Sequence, residues 1–483
     1  MFIRSSFKLG AALLLSTALW TGGTSAFAAY SPSVTASTKL VYAAGKNFTV
    51  NVVTVDLTDP TLELAPALAD GGIGHDASFS SIVERENAVA AINGTFFNAY
   101  ESNPYIRFPN GSLVKSGEAI HSGENQTLIL DKNKVPDIQF VDLDISVKVS
   151  EGGGTYTISP WGINKYYGDA STDQIVWYTP QFGSWIGYPG GTKVVIQDGL
   201  VTKITQDSVP VPDDGYVLFV GNSANNKSNV LTKVDLGDRV TTSLLAKGEN
   251  GSMDAKSWLA AIGVGPKLVS GGAVDINYSR DGFSDPKVTS SSAARSFVGI
   301  DASDRLVMGT VPSATLPQLA AIAVALGLKE AMNMDGGSSS ALYANGTTMT
   351  YAGRELSNAL VVRKLDKPLV QIEINGSYMT DYKGYIVGET TVVPIRPFID
   401  AMNAGFAWNA ATRTATITSG GVTLQLQDGK STATVNGKTV AVPVPLQIMS
   451  DSRMYVPLRL VAESLKSKVT WDSKLYRASI QLP

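Results

Sequence analysis

The chain has 483 residues, 44% apolar and 17% charged. This is a globular composition with material for roughly two to four domains, and it excludes disorder over the whole length. There is no cysteine and the only histidines are His75 and His121, which excludes disulfides and the usual Cys/His zinc sites. A net charge of −3 with no basic stripe argues against a nucleic-acid surface. Acid–base chemistry therefore falls mainly on carboxylates, helped by Arg, Asn and hydroxyls.

The N-terminus reads as a secretory signal over residues 1–28. Arg4 and Lys8 are followed by an apolar run from Leu9 to Trp20, and Ala26-Phe27-Ala28 fits the small-x-small cleavage pattern. The run is shorter than the roughly 20 residues that cross a bilayer, so the mature chain is expected to be secreted, extracellular or associated with the cell wall.

Many short strands and few helices are expected up to about residue 365. Residues 48–55 alternate and are β-branched, which predicts a strand. A short buried strand over 89–92 runs into Asn93-Gly94. Gly152-Gly153-Gly154 and residues 209–215 carry loop signals. The clearest helix spans 316–328, with Thr315 as N-cap, Pro317 in its first turn and Gly327 near its end. A strand over 331–334 should follow and stop at Asp335. The charged stretch 364–367 with Pro368 marks a boundary, after which a strand begins at Leu369.

The last 115 or so residues hold an internal repeat at an offset of 63. Val393-Pro-Ile-Arg396 recurs as Val456-Pro-Leu-Arg459, Trp408 as Trp471, Asn409 as Asp472, and Ala415-Thr-Ile417 as Ala478-Ser-Ile480. Each half should contain a strand, a helix opened by V-P-x-R and a strand bearing Trp, with the tryptophans in the core and the arginines tying helix to strand. Residues 366–483 hold 12 Lys+Arg against 9 Asp+Glu, or +3. Residues 29–365 hold 25 against 33, or −8. A mildly basic tail on an acidic body suits contact with anionic polymers. The expected fold class is α+β: a β-rich mixed domain with few helices, then a small α+β domain of two similar halves.

Three segments could carry chemistry. In Ala91-Ile-Asn-Gly-Thr-Phe-Phe-Asn98, a strand ends in Asn93, which can donate and accept, and Gly94, which permits close approach of a ligand. The plain alternative is a hairpin turn. In Asn333-Met-Asp-Gly-Gly-Ser-Ser-Ser-Ala-Leu342, a carboxylate at a strand end precedes two glycines whose N–H groups could form an anion nest. The alternative is a Gly-Ser loop. In Ser291-Ser-Ala-Ala-Arg-Ser-Phe-Val-Gly-Ile300, Arg295 leaves a small-residue loop just before a strand. Its guanidinium suits bidentate phosphate binding or a surface ion pair. Gly263-Val-Gly-Pro-Lys-Leu-Val269 adds a further glycine turn.

Together, N-G-x-F-F, G-x-G-P-x-L-V, R-S-F-V-G-I and N-x-D-G-G-S-S in this order resemble the phosphodiester glycosidase family over residues 47–363. Two positions depart from it: Thr95 and Ser338 stand where the family commonly has glycine. The resemblance implies a phosphodiester glycosidase domain over 29–365, with Asn93, Arg295 and Asp335 as the catalytic positions. Gly94, Phe96, Asn333, Gly336, Gly337 and Ser338 would bind substrate around them. The V-P-x-R…W-N/D repeat over 369–483 resembles the copper amine oxidase N-terminal-like domain. Copper is not implied, because this segment has no His or Cys.

The implied activity is a secreted hydrolase acting on a sugar-1-phosphodiester, in cell-envelope or extracellular glycopolymers. Its partners would be the carbohydrate substrate and a wall polymer met by the C-terminal domain, with neither nucleic acid nor a membrane span. Asp335 would serve as nucleophile, as base for water or as cation ligand, and Phe96 or Phe97 would pack on the sugar face, although both are equally good core residues. Asp76, Glu101 and Glu118 are candidate second carboxylates. No cofactor is called for, with calcium the one candidate ion. The rival readings are a non-hydrolytic wall-polymer binding protein and a calcium-stabilised structural domain.

Overall fold

A computed structural model describes residues 30–151, 154–168, 172–249, 251–379, 383–448 and 453–483. The secretory signal expected over 1–28, and Gly152 and Gly153, lie outside them. The architecture is β-rich with few short helices, as composition and turn spacing predict.

Three large sheets and a two-stranded pairing of Trp185–Ile186 with Val209–Pro210 build the part before residue 365. A seven-stranded sheet contains the strands Lys46–Val55, Leu306–Ala314, Ala293–Asp301 and Leu328–Asn333 as successive neighbours. A five-stranded sheet sets Ala88–Asn93 between Leu342–Ala344 and Asn358–Lys364. A larger, mostly antiparallel sheet of 13 strands includes Glu124–Leu130, Pro136–Glu151 and Ala260–Val264. One apolar core joins all three. Val53, Val298 and Met332 of the first sheet meet Val89, Ile92 and Leu360 of the second, and Leu128, Ile138 and Ile262 of the third. The strand Ala88–Asn93 is buried along its whole length, which is why it reads as an unbroken apolar run rather than an alternation.

The helix runs over Leu316–Ala325, with Thr315 and Gln318 forming a capping box. It is three residues shorter than the pattern predicts. Gly327 adopts φ +78°, a conformation that ends a helix at little cost for glycine, and Leu328 opens the next strand instead. That strand, Leu328–Asn333, starts earlier than expected and delivers Asp335 two residues past its end.

The C-terminal part has its own core, including Ile372, Val393, Phe398, Ile417, Val456 and Ile480. The repeat is visible in the backbone. The strands Thr390–Pro394 and Met454–Pro457 pair antiparallel with Val393 opposite Val456, its own counterpart at the offset of 63, so a local two-fold axis passes through this pair. Helices Ile395–Ala401 and Leu458–Ser464 follow, then Gly405–Asn409 and Lys468–Asp472 carry the tryptophans. Trp408 packs against the core as expected. Trp471 does not: it is 40% exposed, with its ring edge-on to Tyr476. Arg459 donates to the Val469 carbonyl (3.4 Å), tying helix to strand.

The two parts touch through polar anchors. Buried Arg477 donates to Gln371 (3.0 Å) within its own part, and to Asn133 (3.2 Å) and the Lys132 carbonyl across the boundary. Glu63 is paired by Arg363 (2.7 Å) and by Lys383 of the C-terminal part. These contacts flank a seam where Leu57, Leu62, Leu64, Leu130 and Leu259 of the larger part face Leu369, Val370 and Tyr378 of the C-terminal part. Arg477→Ala should therefore speed tryptic cleavage after Lys364 several-fold and lower the thermal unfolding of the C-terminal part, whose Gln371 loses its partner, while leaving that of the larger part unchanged. Residues 29–365 should stay folded without the rest, as circular dichroism can check.

Candidate active site

The site lies where the seven-stranded and five-stranded sheets meet end to end. Asn93 closes the strand Ala88–Asn93 and is fully buried. Its Nδ2 donates to the Asp335 carbonyl (2.7 Å), and its Oδ1 accepts from the Ala341 N–H (3.1 Å). One side chain thus fastens both ends of the 335–341 loop to a neighbouring sheet, and with both its polar atoms engaged it acts as a positioning residue. Gly94 is required by packing: a Cβ there would fall 1.8 Å from Asn358 Oδ1. Asn358 accepts from the Thr95 N–H (3.0 Å) and donates to Thr95 Oγ1 (3.1 Å). Thr95, where the family commonly has glycine, is thus absorbed into a buried hydrogen-bonded corner.

Asp335 is half-buried and densely surrounded. Its Oδ1 accepts from the Gly336 N–H (2.8 Å). Burial pushes its pKa up from 3.8 to about 6, against the pull of a Ser339 side-chain hydrogen bond, the Gly336 N–H and the positive charge of Arg354. Gly337–Ser339 forms a short 3-10 turn, and Ser338 is the exposed member of the loop. Asn333 sits one level below. It is fully buried, donates to the Gly265 carbonyl (3.1 Å) beside the cis Gly265–Pro266 bond, and its Oδ1 lacks a partner among the described residues.

Arg295 lies on the strand next to Leu328–Asn333. It is 3% exposed and makes no ion pair among the described residues. Its Nε donates to the Ala314 carbonyl (3.1 Å), and Nη2 to the carbonyls of Lys287, Val288 and Ser291. Burial lowers its pKa. Nη1 is left over, about 3.8 Å from where a Cβ on Gly336 would stand. A buried guanidinium with no carboxylate partner, one nitrogen of which reaches the glycine loop, is a ready anion ligand.

Three residues that the sequence did not single out complete the mouth. Tyr100 is 80% exposed. Arg354 lies 5.1 Å from its ring centre and Lys287 5.6 Å. The Arg354 hydrogen bond (3.4 Å), then the two positive charges, lower the Tyr100 pKa, and the charge of Asp335 raises it. A cationic and aromatic rim therefore stands beside the carboxylate. Each of the three is a lone residue in a turn-rich stretch without a motif, and only proximity in space singles them out.

Phe96 and Phe97 both have packing duties. Phe96 lies 5.7 Å from the Phe283 ring and against the shared core, and Phe97 packs against a second cluster. The candidate second carboxylates are occupied elsewhere. Asp76 pairs with Arg107, Glu101 accepts from Asn103 and Ser102 in its own turn, and Glu118 lines a cleft with Trp177 and Tyr216 on the largest sheet. His121 is buried with its pKa lowered to about 3 by burial and the charge of Lys165. Among the described residues no group of three or more carboxylates or histidines is placed to hold a metal ion.

Two outcomes follow from this geometry. Asn93→Ala leaves the Ala341 N–H and the Asp335 carbonyl without partners, which should cost about 2–4 kcal/mol in chemical denaturation. Asp335 binds its proton more tightly folded than unfolded, so its ionisation opposes folding as pH rises from about 4 through 6. Asp335→Asn should then raise stability at pH 7.5, by up to about 3 kcal/mol for a shift of about two units, with the gain vanishing near pH 4. Melting curves at the two pH values test this.

Residues 190–363 match the family model described as phosphodiester glycosidase, and residues 373–480 match the copper amine oxidase N-terminal domain. The first match includes Arg295 and Asp335; the Asn93 segment lies outside it and joins the site through its hydrogen bonds. No curated protein matches the chain. A hypothetical protein from Synechocystis shares the fold at 22% identity and TM-score 0.57, over 68% of this chain and 62% of that one. A protein of Burkholderia pseudomallei does so at 19% and 0.54, over 66% and 74%. The zebrafish N-acetylglucosamine-1-phosphodiester alpha-N-acetylglucosaminidase catalytic domain, auto-inhibited by its pro-peptide, is matched at 13% and 0.34, over 70% and 86%. The chain is thus similar to the phosphodiester glycosidase family over residues 190–363 and to the copper amine oxidase N-terminal domain over residues 373–480.

Proposed function

We propose that the protein hydrolyses the glycosidic bond of a sugar-1-phosphodiester, and that it does so outside the cytoplasmic membrane on a cell-envelope or extracellular glycopolymer. The observation that carries this reading is a half-buried carboxylate of raised pKa, Asp335, set in a glycine loop between a buried unpaired arginine and a cationic rim. The match of residues 190–363 to the phosphodiester glycosidase family supports it.

The reaction breaks the bond between the anomeric carbon and the phosphate oxygen, and the phosphate monoester leaves with the electron pair. A phosphate is already a fair leaving group, so less general-acid help is needed than in ordinary glycoside cleavage. The main demand is to hold the departing dianion and to support positive charge at the anomeric carbon. Arg295 Nη1, Arg354 and Lys287 hold the phosphate, and Tyr100 offers a ring face to the sugar. Asp335 takes a proton from the attacking water, which delivers hydroxide to the anomeric carbon. A base with a pKa near 6 is well matched to neutral pH. Asp76 is paired with Arg107, and Asp335 is the carboxylate set among the phosphate-holding groups.

Asp335→Asn should lower kcat by about 10²-fold or more on a synthetic sugar-1-phosphodiester, while binding persists. Parent-like turnover in the variant would remove Asp335 from the chemistry. Binding without any turnover by the parent would favour the wall-polymer binding reading. A loss of turnover with chelator that calcium restores would instead make Asp335 a cation ligand. In the parent, kcat should fall as pH drops through about 6, and Arg354→Gln should move that limb upward, because the Arg354 charge holds the Asp335 pKa down.

Arg295→Lys keeps the charge but loses the planar fork. The loss should be larger on the phosphodiester than on an activated aryl glycoside of the same sugar. Equal losses would assign Arg295 to holding the 287–291 carbonyls alone.

A further inference from the structure

The C-terminal repeat does more than duplicate a fold. It creates two grooves that correspond residue for residue. The first, about 350 Å³, is formed by Pro394, Arg396 and Trp408 of one half with Arg453 and Met454 of the other. The second, about 510 Å³, is formed by Pro457, Arg459 and Trp471 with Thr390 and Thr391. Each member of one set lies 63 positions from its counterpart in the other. This is what the two-fold axis through Val393 and Val456 produces. Each groove borrows its far wall from the opposite half, so neither exists in an isolated repeat.

We propose that these grooves are two binding sites for an anionic polysaccharide, one chain segment in each. In both, a tryptophan stands beside an exposed arginine at the opening of a helix. An indole face suits the apolar face of a sugar ring, and a guanidinium suits a carboxylate or phosphate carried on that ring. In the first groove the Arg396 guanidinium lies 5.4 Å from the Phe406 ring centre, which holds it flat. Among the described residues this groove has two arginines and no carboxylate in its wall. The second has Glu389 in its wall, and Arg459 is shared with Glu463 (3.1 Å), so it is the weaker site.

The excess of positive charge over residues 366–483, set against the acidic body, is complementary to an anionic chain. A two-fold axis presents the two grooves in opposite senses. A polysaccharide has a direction, so one short segment does not run through both in the same way. The domain holds two segments and gains by linking them.

Calorimetry of the full-length protein with trigalacturonate, and with a neutral maltotriose control, tests the proposal. The expected result is two trigalacturonate molecules per chain with unequal affinities and little binding of maltotriose. Arg396→Gln should weaken the tighter site about tenfold and Trp471→Ala the weaker one, and both exposed positions should leave the melting temperature unchanged. Each variant should also bind long polygalacturonate more weakly than the parent does. Turnover of a small phosphodiester should be unaffected by either change, which separates this proposal from the assignment of Asp335. A single site, equal binding of maltotriose, or trigalacturonate binding that survives both substitutions would overturn it.

Discussion

The Asn93 side chain holds the candidate site together. Two sheets end side by side, and strand ends leave backbone groups that must be paired when buried. Asn93 supplies one donor and one acceptor at that seam, to the Asp335 carbonyl and the Ala341 N–H. The glycine loop is thereby stretched between two fixed points set by different sheets. Gly94 lets the Asn358 side chain come close enough to brace the seam from the other side. A hydrophobic residue at position 93 would fit the core by volume but would leave two buried backbone groups unpaired.

From that constraint follow the electrostatics of Asp335. A carboxylate at an exposed loop tip would titrate near its ordinary value. Here the seam confines it among protein atoms, so burial outweighs the hydrogen bonds and the Arg354 charge that favour ionisation. Arg295 is governed by the same confinement. It gives up most of its donors to backbone carbonyls, which fixes the remaining nitrogen beside Gly336 without the large entropy loss of ordering a free arginine. The rim of Tyr100, Lys287 and Arg354 is exposed by contrast, and its charges act on a ligand through solvent and are open to screening by salt.

The C-terminal part obeys a different constraint, that of a duplicated unit closing on itself. Pairing Val393 with Val456 sets two equivalent strands side by side in one sheet, and the shared core spans both halves. It meets the larger part through ion pairs, the buried Arg477 and a small apolar seam at Leu369, Val370 and Tyr378. Its position relative to the site depends on these contacts.

By itself the sequence determined the β-rich class, the 63-residue repeat, the boundary near Pro368, the capped helix and the three segments that meet at the site. These are written in local chemistry: alternation, turn residues, a Thr–Pro–Gln cap, a glycine pair after an aspartate. Locality also limited it. The helix pattern ran on past Ala325 because Leu328 is apolar whether it ends a helix or starts a strand, and only the left-handed Gly327 separates the two. Phe96 and Phe97 looked like sugar platforms because aromatic residues after a turn suit a site and a core equally well, and their packing partners lie far along the chain. Trp471 read as core because burial depends on what covers a strand, which the strand does not encode. The pairing of Asn93 with a loop 242 residues later, the cationic rim, and the grooves built from opposite halves of the repeat were decided only by tertiary structure. Each joins residues distant in sequence, where hydrogen bonding and burial act through space and leave no pattern along the chain.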